Sequence, residues 1–380
     1  MGCDMWDMGY EMKEVRGKEQ EARGKRQEAR GKLFLHLTSC FLFLAYLFLA
    51  GCSTTPAMQG QEALSSPLLW PPPPEPARII YEGAIERPDD MGVKKGFFRR
   101  LGELLLGKTA DRIVKPYGIA IDSNERLIVV DTAFKRLHIF DRNTGEYTWI
   151  DEFKKDEFIS PIGVAVDSQD NIYVSESELN KVLVFSKRGK FLFEINDSLH
   201  RPTGIAINNK EGFLYVVNTG GHNVNVYDMT GKYSYTFGQR GRGKGRFNYP
   251  TDIHIDKQGF VYITDSMNFR IQIFDKNGKF LSTFGHHGDG SGSFSRPKGV
   301  SVDSDGHIYV VDALFDAVQI FDGEGRFLLG FGSSGQGKGS FWLPSGIFVD
   351  SKDRIYVADS FNRRIQIFKY LKEENKLSKE

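Results

Sequence analysis

Cysteine is nearly missing from this chain, and its placement matters more than its number. The 380 residues hold three, Cys3, Cys40 and Cys52. Everything after residue 52 therefore lacks a thiol for a disulfide framework, a cysteine–zinc centre or a cysteine nucleophile. Net charge is missing as well. Fifty Lys and Arg against 49 Asp and Glu leave a formal +1, which argues against a purely electrostatic nucleic-acid binder. Long apolar runs are scarce: Leu33–Ala50 is the single one, and its ~18 residues sit near the lower limit for a membrane span. Gly (41) and Phe (30) are plentiful, which suits many short strands joined by turns.

One sentence is written six times. It starts at Pro116, Pro161, Pro202, Pro250, Pro297 and Pro344, at intervals of 45, 41, 48, 47 and 47 residues. The last copy, PSGIFVDSKDRIYVADSFNRRIQIF (Pro344–Phe368), has three short apolar runs separated by Asp350–Asp353 and Asp359–Arg364. Each run is too short for a stable helix, and its β-branched and aromatic content favours a strand. A fourth strand follows in Lys190–Ile195, Lys232–Phe237, Lys279–Phe284 and Arg326–Phe331. A period of roughly 40–50 residues with four strands per unit is that of a propeller blade. The expected fold is thus all-β, a six-bladed β-propeller of four-stranded antiparallel blades.

The pattern P-x-G-[IV]-x-[VI]-D, then [IL]-Y-V-x-D-[ST]-x-N-x-R-[IV]-Q-[IV]-F, resembles the NHL repeat. The resemblance covers roughly 111–370, with copies four and six closest and copies one and three most divergent. It implies a TolB-like ring that serves recognition or scaffolding in some members and catalysis in others. The six-bladed amidating lyase, which is similar in fold, uses histidines around an axial zinc. This chain offers no second axial histidine, because His286 and His287 fall on a loop.

In chain order, residues 1–52 read as a charged extension, with GKEQEAR and GKRQEAR in tandem, followed by a signal sequence. Leu49-Ala50-Gly51-Cys52 closes the apolar run with small residues before a cysteine, which fits processing and resembles the bacterial lipobox. Cys52 would then carry a lipid. The expected location is the cell envelope, at the outer membrane and facing the periplasm or the surface; a membrane span over 33–50 is the alternative. Residues 53–77 read as a Pro-rich tether whose run Pro71–Pro74 favours an extended polyproline rod. Residues 78–110 hold a strand-like Ile79–Ile85 and an amphipathic helix over Lys94–Gly107. The sixth repeat stops after three strands, so Ile79–Ile85 is predicted to complete it and close the ring. Residues 371–380 form a charged tail.

Strand alternation places the second-to-third and blade-to-blade loops on one face, with the long loops Gly238–Tyr249, Gly285–Arg296 and Gly332–Leu343. Binding residues concentrate on such loops. Arg240, Arg242, Lys244 and Arg246 are the densest basic cluster; with Phe294 and Trp342 they are the expected exposed contacts for a protein or an anionic ligand. GQRGRGKG and GSSGQGKG fall one residue short of a P-loop, and neither leads into a helix. Asp131, Glu176, Asn218, Asp265 and Asp359 are expected in exposed hairpin pairs with the residue five further on, while Asp312, facing Ala317, lacks its base.

At the axis, the small column Gly118, Gly163, Gly204, Gly299, Gly346 is broken by Asp252, and the next inward position holds His254 in blade four. Residues i and i+2 of a strand share a side. The pair reads either as packing between blades or as a base with its orienting acid, with His254 as half of a metal site. The favoured function is a monomeric, lipid-anchored binding or scaffold module with no cofactor and no nucleic acid. The alternative is a metal-assisted lyase or hydrolase with a divalent metal at the axis, around Asp252 and His254.

Overall fold

The computed structural model describes residues 67–92 and 111–372. Cys52, the apolar run 33–50, the helix expected over 94–107 and the end of the charged tail lie outside the described residues. Among those described, helical structure is limited to 3-10 turns such as Pro88–Met91 and Ser266–Asn268.

Five four-stranded antiparallel sheets follow the repeats in order. Their inner strands are Pro116–Ile121, Pro161–Val166, Pro202–Asn208, Pro250–Ile255 and Pro297–Val302. The sixth sheet is built from both ends of the chain. Ile347–Val349, Arg354–Asp359 and Arg364–Tyr370 supply three strands, and Ile79–Ile85 pairs antiparallel with Arg364–Tyr370, Ile79 opposite Tyr370 and Ile85 opposite Ile365. The ring is therefore closed by the predicted segment, and the third strand of blade six is left with no open edge.

Each sheet buries both faces, because successive side chains alternate and every blade has a neighbour on either side. The buried apolar residues sort into six clusters, one per seam. Blades five and six share Tyr309, Val311, Val318, Val349, Val357 and Phe368; blades six and one share Tyr356, Ala358, Ile365, Ile119, Leu127 and Val129. A fully buried aliphatic or Phe side chain contributes roughly 1.5–3 kcal/mol, so each seam is held by its own core.

Two features depart from the expectation. The Pro-rich run is not an extended rod: Leu69–Trp70 pairs with Ile79–Ile80, so Pro71–Pro76 is the connection of a hairpin that adds a fifth strand to blade six. Trp70 packs edge-on to Phe368 and beside Phe331, ring centroids 5.7 and 5.9 Å away. Second, a small hairpin, Glu152–Phe153 with Asp156–Glu157, interrupts the link from blade one to blade two, and its Phe153 and neighbouring Phe158 enter that seam's core.

Candidate binding site at the axis and the long-loop face

The acids that end each second strand are not exposed. Asp131, Glu176, Asp265, Asp312 and Asp359 are fully buried, where an unpaired carboxylate would be very costly. Their main partners are backbone amides of the incoming blade-to-blade loop. Asp265 accepts from Asn248 N at 2.7 Å, Asp359 from Trp342 N at 2.8 Å, and Asp312 from Ser295 N and Arg296 N at 2.7 and 3.0 Å. The expected ion pairs form at Asp265–Arg270 and Asp359–Arg364, both 2.8 Å. Elsewhere Lys181 pairs with Glu194 and Arg136 approaches Asp151. At blade five Ala317 replaces the base, and backbone donors satisfy Asp312 instead.

Three of the long loops are consequently rigid and share one skeleton. Gly238, Gly285 and Gly332 take φ of +80, +88 and +92°, and a Cβ on any of them would strike the ring of Phe247, Phe294 or Phe341. Glycine is required by both the backbone angle and the close approach. A third-strand glutamine then ties each loop twice: Gln272, Gln319 and Gln366 donate to the carbonyls of Arg246, Ser293 and Ser340, and accept from Gly245, Gly292 and Gly339. Phe294 was expected as an exposed contact. It is instead completely buried, with Phe321 5.5 Å away, and it pins the loop.

The other predicted contacts do face solvent. Arg240, Arg242, Lys244 and Arg246 are exposed, and none forms an ion pair with a described residue; Lys244 Nζ lies 6.0 Å from the Phe280 ring. Trp342 is 44% exposed and stacks at 5.7 Å on the equally open Phe361, over which Lys115 sits at 5.6 Å. Ile159, Tyr249, Met267 and Leu314 are exposed on the same face. Among the described residues, Phe260 and Phe327 are the large apolar residues exposed at or beside the opposite turns, and Trp149, Leu192, Leu281 and Leu328 are exposed on outer strands. Apart from Trp342, the apolar rim of the long-loop face is not among the contacts expected from the sequence. Its signal was the position two residues after each second-strand acid, which reads Met267, Leu314 and Phe361 in blades four to six.

The axis encloses a cavity of about 320 Å³ lined by all six inner strands. The glycine column does not face its centre. A Cβ at Gly118, Gly163, Gly204, Gly299 or Gly346 would come within 3.0 Å of the adjacent inner strand, so glycine there lets the strands converge. Blade four alone carries a side chain at this place. Asp252 Oδ2 accepts from Val300 N of blade five at 3.0 Å, and its other oxygen lies beside Gly204 of blade three. His254 Nδ1 is 3.4 Å from Ser301 Oγ, which in turn accepts from Val349 N at 3.0 Å. Among the described contacts no hydrogen bond joins Asp252 to His254; each is tied separately to blade five. Burial drives both toward neutrality, the Asp252 carboxyl up to about 7 and the His254 imidazole down to about 4. Among the described residues, no three His, Cys, Asp or Glu side chains are grouped so as to hold a metal.

Three further polar side chains that sequence reasoning did not single out line the cavity, Tyr117, Asn209 and Lys298. Burial, with Asp252 nearby, pushes the Tyr117 hydroxyl above the usual phenol range. Burial, with Arg296 nearby, brings the Lys298 ammonium down to about 8.

These features define a six-bladed, strand-closed β-propeller with a narrow axial cavity and one apolar, basic face. Comparison with known proteins agrees on the fold. A family described as "6-bladed beta-propeller" matches residues 258–318 and 303–377. Among curated proteins, no relative is detectably similar in sequence. Similar solved structures include a catalytically inactive virginiamycin B lyase from Staphylococcus aureus with quinupristin, 16% identical with a TM-score of 0.52, covering 68% of this chain and 96% of that one. An auxiliary nutrient binding protein from Bacteroides thetaiotaomicron is 15% identical with a TM-score of 0.55, covering 68% of this chain and 69% of its own. A structural genomics protein of unknown function from the same organism is 16% identical with a TM-score of 0.54, covering 76% and 75%. At these identities the likeness concerns the fold alone.

Proposed function

We propose that this protein is an NHL-type binding propeller, held in the cell envelope by lipidated Cys52, that recognises an acidic protein partner through its long-loop face. The observation that carries the reading is the sorting of exposed apolar side chains. Away from the outer strands, Ile159, Tyr249, Met267, Leu314, Trp342 and Phe361 are exposed on the face that also presents Arg240, Arg242, Lys244 and Arg246. Aromatic anchors beside unpaired arginines are the composition of an interface core and its rim, and the pinned loops present them already ordered, which lowers the entropy lost on association. The lyase-or-hydrolase alternative has less support: Asp252 and His254 bond to blade five rather than to each other, and the described residues bring no third donor to them.

Cross-linking on intact cells, followed by quantitative recovery of partners, tests the reading with two variants of the full chain. Arg240→Glu with Arg242→Glu should reduce recovery by reversing the charge of the rim. Trp342→Ala should reduce it by removing an anchor, typically worth about 2 kcal/mol or more where it is a hot spot. Recovery undiminished in both variants would reject this face.

A further inference from the structure

Each inner strand begins with proline, and the residue after it reads Tyr117, Ile162, Thr203, Thr251, Lys298 and Ser345 around the ring. Three of these carry hydroxyls that tie seams: Thr203 donates to Thr251 O at 2.8 Å, Thr251 to Lys298 O at 3.4 Å and Ser345 to Pro116 O at 3.2 Å. Tyr117 and Lys298 differ. Neither the phenol oxygen nor the ammonium is hydrogen-bonded or ion-paired to a described residue, yet both line the axial cavity and both are half-buried. An ammonium held in a partly dried cavity with no acceptor costs free energy and adds nothing to the fold.

We propose that the axial cavity binds a small monocarboxylate with an apolar body, its carboxylate against the Lys298 ammonium and the Tyr117 hydroxyl offered from blade one as a second donor. The donors present have no acceptor among the described residues, and a carboxylate supplies one to both. The cavity's only acid is Asp252, which already accepts from Val300 N; burial holds it toward the uncharged form, so it repels an anion weakly. Besides the polar side chains of His254 and Asn209, the wall holds Ile119, Val164, Ile205, Ile253 and Val300 with glycine and alanine between them, which gives a hydrocarbon body apolar surface to pack on. A volume of about 320 Å³ is at the bottom of the ~300–1,000 Å³ range of small-molecule sites, so the ligand is small.

This inference goes beyond the face-binding reading, and the two fail separately. Full-length protein is titrated with hexanoate and benzoate, and with hexanamide and benzamide as neutral counterparts, by ligand-observed NMR and thermal shift. Saturable binding of a carboxylate and not of its amide is expected. Lys298→Met should weaken it at least tenfold and Tyr117→Phe several-fold, while Arg240→Glu with Arg242→Glu leaves it unchanged. Lys298→Gln serves as a second charge-removing variant, each variant being first shown to unfold like the parent. Binding should also weaken as pH rises through about 8, where Lys298 loses its proton. Of the groups facing Lys298, Asp252 ionises near 7 and acts in the same direction; His254 is already neutral above about 4; Tyr117 stays protonated; the Arg296 guanidinium is the neighbouring cation. The proposal is overturned if neither carboxylate binds at millimolar concentration, if the amides bind equally well, or if the Lys298 variants bind as the parent does.

Discussion

Asp252 and His254 titrate in opposite senses for a single reason, the loss of water at the inner seam of blades four and five. An acid whose pKa is raised from 3.8 to about 7 lends stability below pH 3.8 and loses it as pH climbs to about 7. An imidazole lowered from 6.5 to about 4 does the reverse: its contribution is intact above 6.5 and is lost as pH falls through about 4. Between about 4 and 6.5 the two slopes oppose each other. Asp252→Asn keeps the acceptor for Val300 N and removes the falling limb. The variant should match the parent below pH 3.8 and gain steadily to pH 7, by at most about 4 kcal/mol at ~1.4 kcal/mol per unit. Urea unfolding across that window reads the difference, and parallel curves would show that burial does not control Asp252. Not every residue was so legible. Phe294 looks exposed in a Gly-rich loop, yet Phe247, Phe294 and Phe341 each stand nine residues after a glycine, and a strict recurrence of that kind marks packing. Tyr117 and Lys298 escaped because their column holds five different residue types in six blades, so no pattern drew attention to it.

Elements were easier to read than residues. Proline starts, period-two apolar runs and Asp-rich turns placed the inner strands, because each rests on local chemistry. The closing strand was legible by deficit: a sixth repeat with three strands needs a fourth. The Leu69–Trp70 strand and the hairpin at Glu152–Glu157 were not, since two-residue strands carry no period and are fixed by what they pack against. Removing residues 67–85 should expose the Arg364–Tyr370 edge and take Ile79 and Ile85 from two seam cores. The expected result is loss of the single cooperative thermal transition, with dye-binding apolar surface and aggregation at the open edge. An unchanged melt would mean that the first strand is dispensable.

For the whole molecule, the fold class follows from repetition, whereas the ligand does not, because propellers host unrelated functions on one frame. The anchoring proposed above concerns the entire chain. From Cys52 to Leu69, where the first described strand begins, 17 residues can span at most ~60 Å. Leu68 and Trp70 lie beside Gly339 in the loop before blade six, so the described chain enters the ring at the seam of blades five and six. Cys52→Ala should move the protein from the membrane to the soluble fraction and abolish incorporation of labelled fatty acid. Unaltered membrane retention would assign the attachment to another segment.

The loops pinned by Phe247, Phe294 and Phe341 have one skeleton and three different tips, RGRGKGR, HGDGSGS and SGQGKGS (residues 240–246, 287–293 and 334–340). What keeps each loop in shape lies in glycine, phenylalanine and glutamine; what a visiting molecule would feel lies in the letters between. Mutation can therefore rewrite the tips while the frame stays fixed, and a tip moved from one blade to another should keep its shape in its new setting.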